Sequence, residues 1–498
     1  MTWRSSNGIE LRDLVPAELR RAWVAAGHCP DDDLYSLFRE RVRAHPRRTA
    51  VVDEGGVLDY RSLDTEVQGL AGALDGFGPA DIIGVRVPNG RDAVIAELAV
   101  AAVGAVALPF AGGRADAVSL LRRSRASALI TDSPAPEGLP HLRKVLPVTA
   151  RGPGWRPVAV DPEAPARILV SSGSEAAPTM VAYSHNAIAG GRGNYLRAVH
   201  RDTEVWRDLV LVPLSSAFGS FGAAVTLCRF GGTVLLLRRF DPVAALRMIA
   251  ARRPTHVFGV PAMLRRMADL ASSVDTSSLR AVVSSGDVLP MPTLRACRAA
   301  FGVEVINIYG SSDGVNCHTR TPENGVGTPD PAVTDIRVVD GEICALGPMT
   351  PLCHVGAPSP RLPGGWVWTG DQGRFDSSGT LHVVRRLKRV VIRGGFTISP
   401  AEVEQALAAY PGVSEVACVP VPDRELGERL CACVSPEPGH PPPDLRQLTT
   451  FLADRQGVTR HKLPEYLLVL PEFPLGDTGK VCLRTLTRLA AERHGGLS

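Results

Sequence analysis

The chain has 498 residues, with 55 Lys+Arg against 51 Asp+Glu, 45% hydrophobic and 21% charged residues, a composition that excludes a mainly disordered or low-complexity protein. Because the formal net charge is only +4 and no long run of like charge occurs, we predict neither a nucleic-acid nor a membrane-surface partner. The N-terminus lacks a signal-peptide pattern, and the most apolar stretch, residues 93–110, is interrupted by Glu97 and Gly104, so we expect no membrane span and a cytoplasmic location.

Residues 165–310 alternate short β-branched runs with longer amphipathic segments, which is typical of a wound α/β sheet. Polar turns follow three of the predicted strands, at 171–178, 284–290 and 309–314. Ligands bind outside the carboxyl ends of strands in open α/β sheets, so three such turns in one sheet predict a common crevice. The predicted strands are 167–170, 209–212, 233–237, 256–260, 281–284 and 303–308, and the predicted helices between them are 243–252, 262–270 and 291–301.

A second unit begins near residue 387. Ser399, Pro400 and Glu402 fit the N-cap, first and third helical positions of a capping box. Strands are predicted at 413–421 and 429–434, and an αβ tail follows. Cys431 and Cys433 alternate as on a strand and lack metal-site spacing, so we interpret the ten cysteines as reduced. The predicted fold class is therefore α/β, with a large N-terminal domain, 1–386, and a small α+β C-terminal domain, 387–498.

Five ordered motifs carry a family resemblance. They read SSGSEAAPTMV at 171–181 followed by Ser184 and His185, YGSSD at 309–313, TGD at 369–371, RLK with RGGF and PAEVE within 386–404, and PLGDTGK at 474–480. In these motifs the chain resembles the adenylate-forming superfamily of acyl-CoA synthetases, peptide-synthetase adenylation domains and luciferases. The segment 10–28 resembles the aryl-acid and secondary-metabolite branches. Taken alone, His185 is better explained as a helix-start residue than as a catalyst.

The resemblance implies a two-step reaction. The family joins a carboxylic acid to AMP with loss of pyrophosphate, and a thiol then displaces AMP. The implied substrates and cofactors are a small-molecule carboxylic acid, ATP or a preformed acyl-AMP, Mg²⁺ and coenzyme A. Such catalysis consists of positioning and charge neutralisation. A small mobile C-terminal domain rotating about the hinge residue Lys388 would exchange the faces that serve the two steps.

The resemblance also implies the role of individual residues. Lys480 would bridge the carboxylate and the α-phosphate during adenylation, Ser312 would reach the α-phosphate, and Asp313 would position Mg²⁺. Among the nucleotide and CoA contacts, Asp371 would hold the ribose, Tyr309 would stack on adenine, and the glycine pair after Arg393 would form the channel for the CoA arm. These binding residues are Ser171, Ser172, Gly173, Ser174, Thr179, Gly286, Asp287, Val288, Asn307, Tyr309, Gly310, Asp371, Arg386, Gly394 and Gly395.

The residues expected at the acyl pocket are mostly small, which suggests room for a bulky or cyclic acid. No acidic residue stands out there to pair with an amino group, which disfavours an amino-acid substrate. Asp287, beside the pocket, is equally well explained as a turn residue. The predicted pocket residues are Ser216, Ala217, Phe218, Gly219, Phe221, Gly259 and Ser284.

The chain departs from the family pattern at the positions that handle triphosphate and metal. Ala176 replaces a glycine of the phosphate loop, Thr179 replaces its lysine, and Asp313 replaces a longer glutamate. Gly476 stands where threonine is usual. One hypothesis is an enzyme that is weak at adenylation and mainly thioesterifies an acyl-AMP made by a separate adenylating enzyme; the alternative is loop drift in a fully competent ligase.

Two further alternatives stay open at this point. The same fold could load the acyl group onto a carrier protein instead of CoA. An inactive nucleotide-binding homologue is the third class, and the retained Lys480, Asp371 and Arg386 argue against it.

Overall fold

The structure, a computed structural model, describes residues 1–111, 114–171, 178–201, 203–387, 391–393, 396–423, 426–476 and 479–494. Its strands are β1 Thr2–Arg4, β2 Glu10–Arg12, β3 Thr49–Asp53, β4 Gly56–Asp59, β5 Ile82–Arg86, β6 Val106–Pro109, β7 Ala128–Thr131, β8 Lys144–Leu146, β9 Pro165–Val170, β10 Met180–Ser184, β11 Arg207–Val210, β12 Thr233–Leu236, β13 His256–Gly259, β14 Ala281–Ser285, β15 Glu304–Gly310, β16 Asn316–Thr319, β17 Asp335–Val339, β18 Glu342–Leu346, β19 Cys353–His354, β20 Val367–Phe375, β21 Leu381–Arg386, β22 Val391–Arg393, β23 Phe396–Ile398, β24 Val413–Asp423, β25 Gly427–Pro436 and β26 Tyr466–Val469.

The α-helices are α1 Ala17–Ala25, α2 Leu34–Ala44, α3 Tyr60–Ala73, α4 Arg91–Ala102, α5 Arg114–Ser124, α6 Arg192–Val199, α7 Pro242–Arg252, α8 Pro261–Ala268, α9 Met291–Phe301, α10 Pro400–Leu407, α11 Leu445–Asp454 and α12 Leu483–His494. Two π-helices, Ala187–Gly191 and Gly222–Arg229, precede α6 and β12. Short 3₁₀ turns lie at Ala271–Ser273, Pro322–Asn324, Pro363–Gly365 and Arg460–Lys462.

An eight-stranded sheet forms the centre of the N-terminal part, in the order β16-β15-β14-β13-β11-β12-β3-β4. Its inner strands are parallel, and the two edge strands β16 and β4 are antiparallel to their neighbours. Five of the predicted strands correspond to β11–β15 with small shifts at their ends, and the three predicted helices correspond to α7, α8 and α9. The wound α/β class predicted from the alternating pattern is confirmed.

The first predicted strand belongs to a different sheet. β9 lies in a seven-stranded sheet of order β19-β10-β9-β6-β5-β7-β8, in which β10 and β19 are antiparallel additions to a parallel core. The prediction that three polar turns follow strands of one sheet is therefore wrong. The turn after β9 links an antiparallel pair, whereas the turns after β14 and β15 follow neighbouring parallel strands. Alternation of strand and helix does not reveal which sheet a strand joins.

A four-stranded antiparallel sheet, β17-β18-β20-β21, and a C-terminal sheet complete the chain. In the C-terminal sheet β24 and β25 form a long antiparallel pair, with β26 parallel to β25. Cys431 and Cys433 lie buried on β25, and none of the ten cysteines, all of them in the described part of the chain, forms a disulfide. α10 begins after Ser399 as predicted, but the capping box is not formed. Ser399 Oγ makes no hydrogen bond, and the Glu402 carboxylate accepts from Lys462 Nζ at 2.7 Å.

The apolar stretch 93–110 folds into α4, which packs in the main core, and β6, which contributes to the main core and to a second apolar cluster. Glu97 is buried on α4 and forms an ion pair with Arg167 on β9, which explains the charge inside an apolar run. In the described part of the chain, no helix is long and apolar enough to cross a membrane.

Candidate functional site

Asp371 lies at the centre of a polar cluster formed by β15, β20 and β21. Tyr309 Oη donates a hydrogen bond of 2.8 Å to Asp371 Oδ2, and Arg386 Nε lies 3.7 Å from Oδ1. Antiparallel pairing of β20 with β21 places Arg386 directly opposite Asp371. The two residues are thus brought together by sheet register, and Tyr309 reaches them from the neighbouring sheet.

The backbone at Asp371, within β20, is held by hydrogen bonds that involve the side chains of Glu342 and Thr369. Gly370 has φ +75°, a conformation that favours glycine, and its N–H donates to Glu342 Oε1 at 2.9 Å. The Asp371 N–H donates to Thr369 Oγ1 at 3.1 Å, while the Thr369 hydroxyl donates to the carbonyl of Ile343. Sequence reasoning did not identify Glu342, because nothing in its local pattern distinguishes it from an ordinary strand residue.

Burial governs the protonation of this cluster. It raises the pKa of Asp371, and the charge of Arg386 and the Tyr309 hydrogen bond act in the opposite direction. Burial and the neighbouring carboxylate also raise the pKa of Tyr309 well above its usual range. The phenol therefore stays a neutral donor at physiological pH, and one carboxylate oxygen remains available to a ligand's hydroxyl group.

Asp313, the predicted metal ligand, is paired with a residue that the sequence analysis did not single out. His354 Nε2 lies 2.5 Å from Asp313 Oδ1, and the side chains are 11% and 22% exposed. The Asp313 N–H donates to Ser311 Oγ at 3.1 Å. The neighbouring Ser312 carbonyl accepts a 2.6 Å hydrogen bond from Tyr183 Oη on β10, which ties this turn to the second sheet.

The carboxylate of Asp313 suits a hard cation such as Mg²⁺, which prefers oxygen ligands. Oδ1 is engaged by the imidazole of His354, so a metal ion would bind through the other carboxylate oxygen or share the first. Asp313 therefore fits Mg²⁺ chemically, but the ion would compete with His354 for this carboxylate.

Lys480 lies against the turn after β14. Its side chain passes so close to Gly286 that a Cβ there would stand 2.8 Å from Lys480 Cε. Gly286 has φ +93°. Gly479, the residue before Lys480, packs against Met263 of α8. Burial lowers the pKa of Lys480, Asp287 opposes that shift, and Arg386 adds to it. The structure thus brings Lys480, Gly286, Asp287 and Arg386 into one electrostatic neighbourhood.

A row of three residues crosses the neighbouring strands behind this turn. Gly259, Ser284 and Asn307 stand opposite one another on β13, β14 and β15. Ser284 Oγ and Asn307 Oδ1 are both buried without a hydrogen-bond partner. Because buried polar groups are normally paired, these atoms fit a site that a polar ligand completes.

The predicted acyl-pocket loop is compact. Ser216 Oγ donates to the carbonyl of Pro213 at 2.7 Å and accepts from the N–H of Gly219 at 3.0 Å. Phe221 packs on Phe258 with ring centroids 4.5 Å apart, and Phe218 contacts both rings more loosely. The carbonyl of Ala217 accepts a hydrogen bond from the buried Arg192.

Other predicted residues lie at the edge of this arrangement or outside the described residues. Ser171 and Thr179 close the loop between β9 and β10 through two hydrogen bonds. Val288 is 80% exposed, and Gly310 ends β15. His185 is buried and accepts from the N–H of Leu34, which supports its interpretation as a structural residue. The predicted residues outside the described part are Ser172, Gly173, Ser174, Lys388, Gly394 and Gly395.

A second group of potential metal ligands lies in the core. Among the described residues, His200, Asp208 and His256 are close enough to share an ion. His200 Nε2 lies 2.7 Å from Asp208 Oδ1, and Thr226 donates to the other carboxylate oxygen. Burial lowers the pKa of His256 to about 3. These contacts describe a hydrogen-bonded core cluster, so we assign it no ligand.

Comparison with known proteins places these residues in a recognisable framework. The family model described as AMP-binding enzyme matches residues 38–350, and the model for its C-terminal domain matches residues 402–480. A feruloyl-CoA synthase of Amycolatopsis sp is 31% identical, covering 89% of this chain and 96% of the relative. The medium-chain fatty-acid–CoA ligase of Escherichia coli is 25% identical, covering 93% and 91%. The salicyl-AMP ligase / salicyl-S-ArCP synthetase of Mycobacterium tuberculosis is 27% identical, covering 95% and 93%.

Solved structures agree on the fold. ATP-bound MatB from Rhodopseudomonas palustris is similar with a TM-score of 0.80 at 22% identity, covering 93% of this chain and 99% of that one. The apo structure of MbtA from Mycobacterium smegmatis has a TM-score of 0.68 at 28% identity, covering 95% and 98%.

Proposed function

The chain belongs to the family of AMP-binding enzymes. On that premise, we propose that it is an acyl-CoA ligase, which forms a thioester from a carboxylic acid through an acyl-adenylate. The single observation that carries the proposal is the cluster in which Tyr309 and Arg386 hold Asp371 while Lys480 lies over Gly286. The partners are a small-molecule acid and CoA. The lack of disulfides among the ten described cysteines supports a reducing, cytoplasmic location.

The proposed roles follow from what each side chain can do. Asp371 accepts hydrogen bonds from the ribose hydroxyls, since its second oxygen is not used by Tyr309. Lys480 contributes a compact positive charge between the acid's carboxylate and the α-phosphate, where negative charge develops. Ser312 contacts that phosphate, and Asp313 would hold Mg²⁺, which neutralises phosphate charge. Tyr309 stacks on adenine beside the turn that carries Asp287.

We also propose the domain division and the hinge. The C-terminal sheet contains its own apolar clusters, which supports a small domain, 387–498, that turns about Lys388 and exchanges Lys480 for the Gly394-Gly395 segment as the lining of the CoA channel. The N-terminal domain, 1–386, would keep the acyl and nucleotide sites in both states.

The finer proposal is that adenylation is the weaker half-reaction. Its support is the His354 contact on Asp313 and the Thr179 position in the phosphate loop, because both bear on ATP and metal rather than on AMP. A separate adenylating enzyme would then supply acyl-AMP. Nothing comparable weakens the residues proposed to hold the monophosphate.

The test separates the half-reactions. The pure protein is given candidate acids with ATP and Mg²⁺ while pyrophosphate release is measured, and separately given synthetic acyl-adenylates with CoA while the thioester is measured by mass spectrometry. Thioester formation from acyl-AMP that clearly outpaces pyrophosphate release supports the finer proposal, whereas rapid pyrophosphate release overturns it. Lys480→Ala is the matched variant: it should lose pyrophosphate release by roughly 100-fold and keep thioester formation.

Carrier-protein loading is the second candidate. It is favoured by the relative named as a salicyl-S-ArCP synthetase, whose acceptor is named as a carrier protein. Replacing CoA by a phosphopantetheinylated carrier protein in the second assay distinguishes the two, because only the true acceptor supports turnover at micromolar concentration. No turnover with any acceptor would favour the inactive homologue.

A further inference from the structure

Arg192 is a buried arginine beside the acyl-pocket loop. It is the first residue of α6 and directly follows the π-helix Ala187–Gly191, a type of helix that occurs often at functional sites. Its side chain is nearly inaccessible, at 3% exposed. Nη1 donates a 2.8 Å hydrogen bond to the carbonyl of Ala217, so the guanidinium lies against the predicted pocket wall.

The rest of this guanidinium makes no hydrogen bond, although it lies over the ring of Tyr183. Nε and Nη2 are buried and make no hydrogen bond, and within the described residues no carboxylate forms an ion pair with Arg192. Arg167, the neighbouring buried arginine, is different: it pairs with Glu97 and donates to the carbonyl of Leu214. A buried charge without a counter-charge is strongly unfavourable, and no described residue supplies the missing acceptor of Arg192, so this guanidinium suits an acceptor brought by a ligand.

The position of Arg192 identifies where that acceptor would sit. Its guanidinium carbon lies 5.2 Å from the ring centroid of Tyr183, and the hydroxyl of Tyr183 holds the carbonyl of Ser312. Burial raises the pKa of both Tyr183 and Tyr195 to about 12, and in both cases Arg192 acts in the opposite direction. The guanidinium therefore lies between the acyl loop and the turn at which the acid's carboxylate would react.

We infer that Arg192 is a specificity-determining residue that binds a second oxygen acceptor of the acid substrate. That acceptor is a phenolic or other hydroxyl oxygen, a carbonyl or a second carboxylate, on an acid whose first carboxylate is activated. The inference rests on the proposed function and names its substrate class. Two parallel N–H groups in a fixed fork suit such an oxygen better than a lysine would.

The test uses matched pairs of acids on the full-length protein. Benzoate is compared with 2-hydroxybenzoate and isophthalate, and butanoate with succinate, each as free acid with ATP and as synthetic acyl-adenylate with CoA. In the wild type we expect the oxygen-bearing member of at least one pair to have a kcat/KM at least about tenfold higher. Preference for the plain acid in every pair overturns the inference.

Arg192→Met removes the guanidinium and its charge and keeps an unbranched side chain that fills part of the same space. It should abolish the preference by slowing the oxygen-bearing acid and leaving the plain one within about threefold. The matched control is Arg197→Met on the same helix, an exposed arginine that lies over Phe230, which should keep the preference. A preference that survives in Arg192→Met overturns the inference.

Stability supplies a second measurement. Because the buried Arg192 has no ion-pair partner among the described residues and makes one hydrogen bond, to Ala217, Arg192→Met should melt no lower than the wild type. The rise in melting temperature caused by the preferred acyl-adenylate should shrink. A clear loss of stability in the free variant would mark a structural arginine and overturn the inference, and Arg192→Lys, which keeps the charge, tests the fork geometry. Failure of the proposed function is distinct: it gives no turnover by the wild type with any acid in either assay.

Discussion

Asp371 and Asp313 are two carboxylates of one candidate site, and the chain holds them in different ways. Asp371 accepts from the neutral phenol of Tyr309 and has Arg386 at 3.7 Å. Asp313 lies 2.5 Å from the imidazole of His354 and is the more exposed, at 22% against 10%. Asp371, proposed to bind ribose, is thus held in place with one oxygen not used by Tyr309. Asp313, proposed to bind metal, already contacts His354 through its carboxylate.

The largest effect should follow from Asp371→Ala. Hydrogen bonds to a charged group contribute about 1.5–3 kcal/mol each, so losing two ribose contacts should lower kcat/KM of both half-reactions by roughly 100-fold or more. The measurement is pyrophosphate release with ATP and thioester formation with synthetic acyl-AMP. Asp376→Ala, in an exposed turn beyond the same strand, is the control. A loss confined to adenylation would contradict the distinction between the two carboxylates, because Asp371 would then have the role proposed for Asp313.

Asp313→Asn should affect one half-reaction. A neutral amide is a poorer ligand for Mg²⁺, so pyrophosphate release should fall by roughly 10- to 100-fold, while thioester formation from acyl-AMP should stay within about threefold. Asp313→Glu, which restores the longer carboxylate, is the control and should retain pyrophosphate release. Equal losses in both assays would show that the two carboxylates serve the nucleotide together.

The comparison also explains how far sequence reasoning reached. Tyr309, Asp371 and Arg386 were predicted because each lies in a short motif on or beside a strand, and sheet register then joins them. His354 was missed because its only signal is a contact with Asp313 that folding creates.

The same physical reason underlies the other errors. The capping box at Ser399 does not form: Ser399 Oγ makes no hydrogen bond, and Glu402 pairs with Lys462, which is distant in sequence. The three polar turns were placed in one sheet because local periodicity carries no information about sheet membership. The predicted α/β class is confirmed because local pattern decides it, whereas the capping box and the common sheet are wrong because distant partners decide them.

Tyr309→Phe should have an intermediate effect. Removing the hydroxyl deletes one hydrogen bond and leaves buried Asp371 with an unsatisfied oxygen, at a cost of about 1–2 kcal/mol. Both half-reactions should slow by roughly 5- to 30-fold, with the ring still present for stacking. Tyr410→Phe, in the C-terminal part against Phe451, is the control. If only the KM for ATP changed and acyl-AMP were used normally, Tyr309 would act on the triphosphate. That result would contradict its proposed role of holding Asp371 for the ribose.

The smallest effect should come from His354→Phe, and it tests the Asp313 side of the comparison directly. The ring of phenylalanine occupies similar space but cannot hydrogen-bond to Asp313, so both carboxylate oxygens become available to Mg²⁺. The Mg²⁺ concentration that gives half-maximal pyrophosphate release should fall by about threefold, since one competing hydrogen bond is lost. The control is His382→Phe, a histidine paired with Asp376 on the surface at 2.8 Å. A rise in the required Mg²⁺ concentration would contradict competition between His354 and Mg²⁺ for Asp313. It would mean that His354 orients Asp313 for the metal, so that Asp313 and Asp371 are both positioned for their ligands.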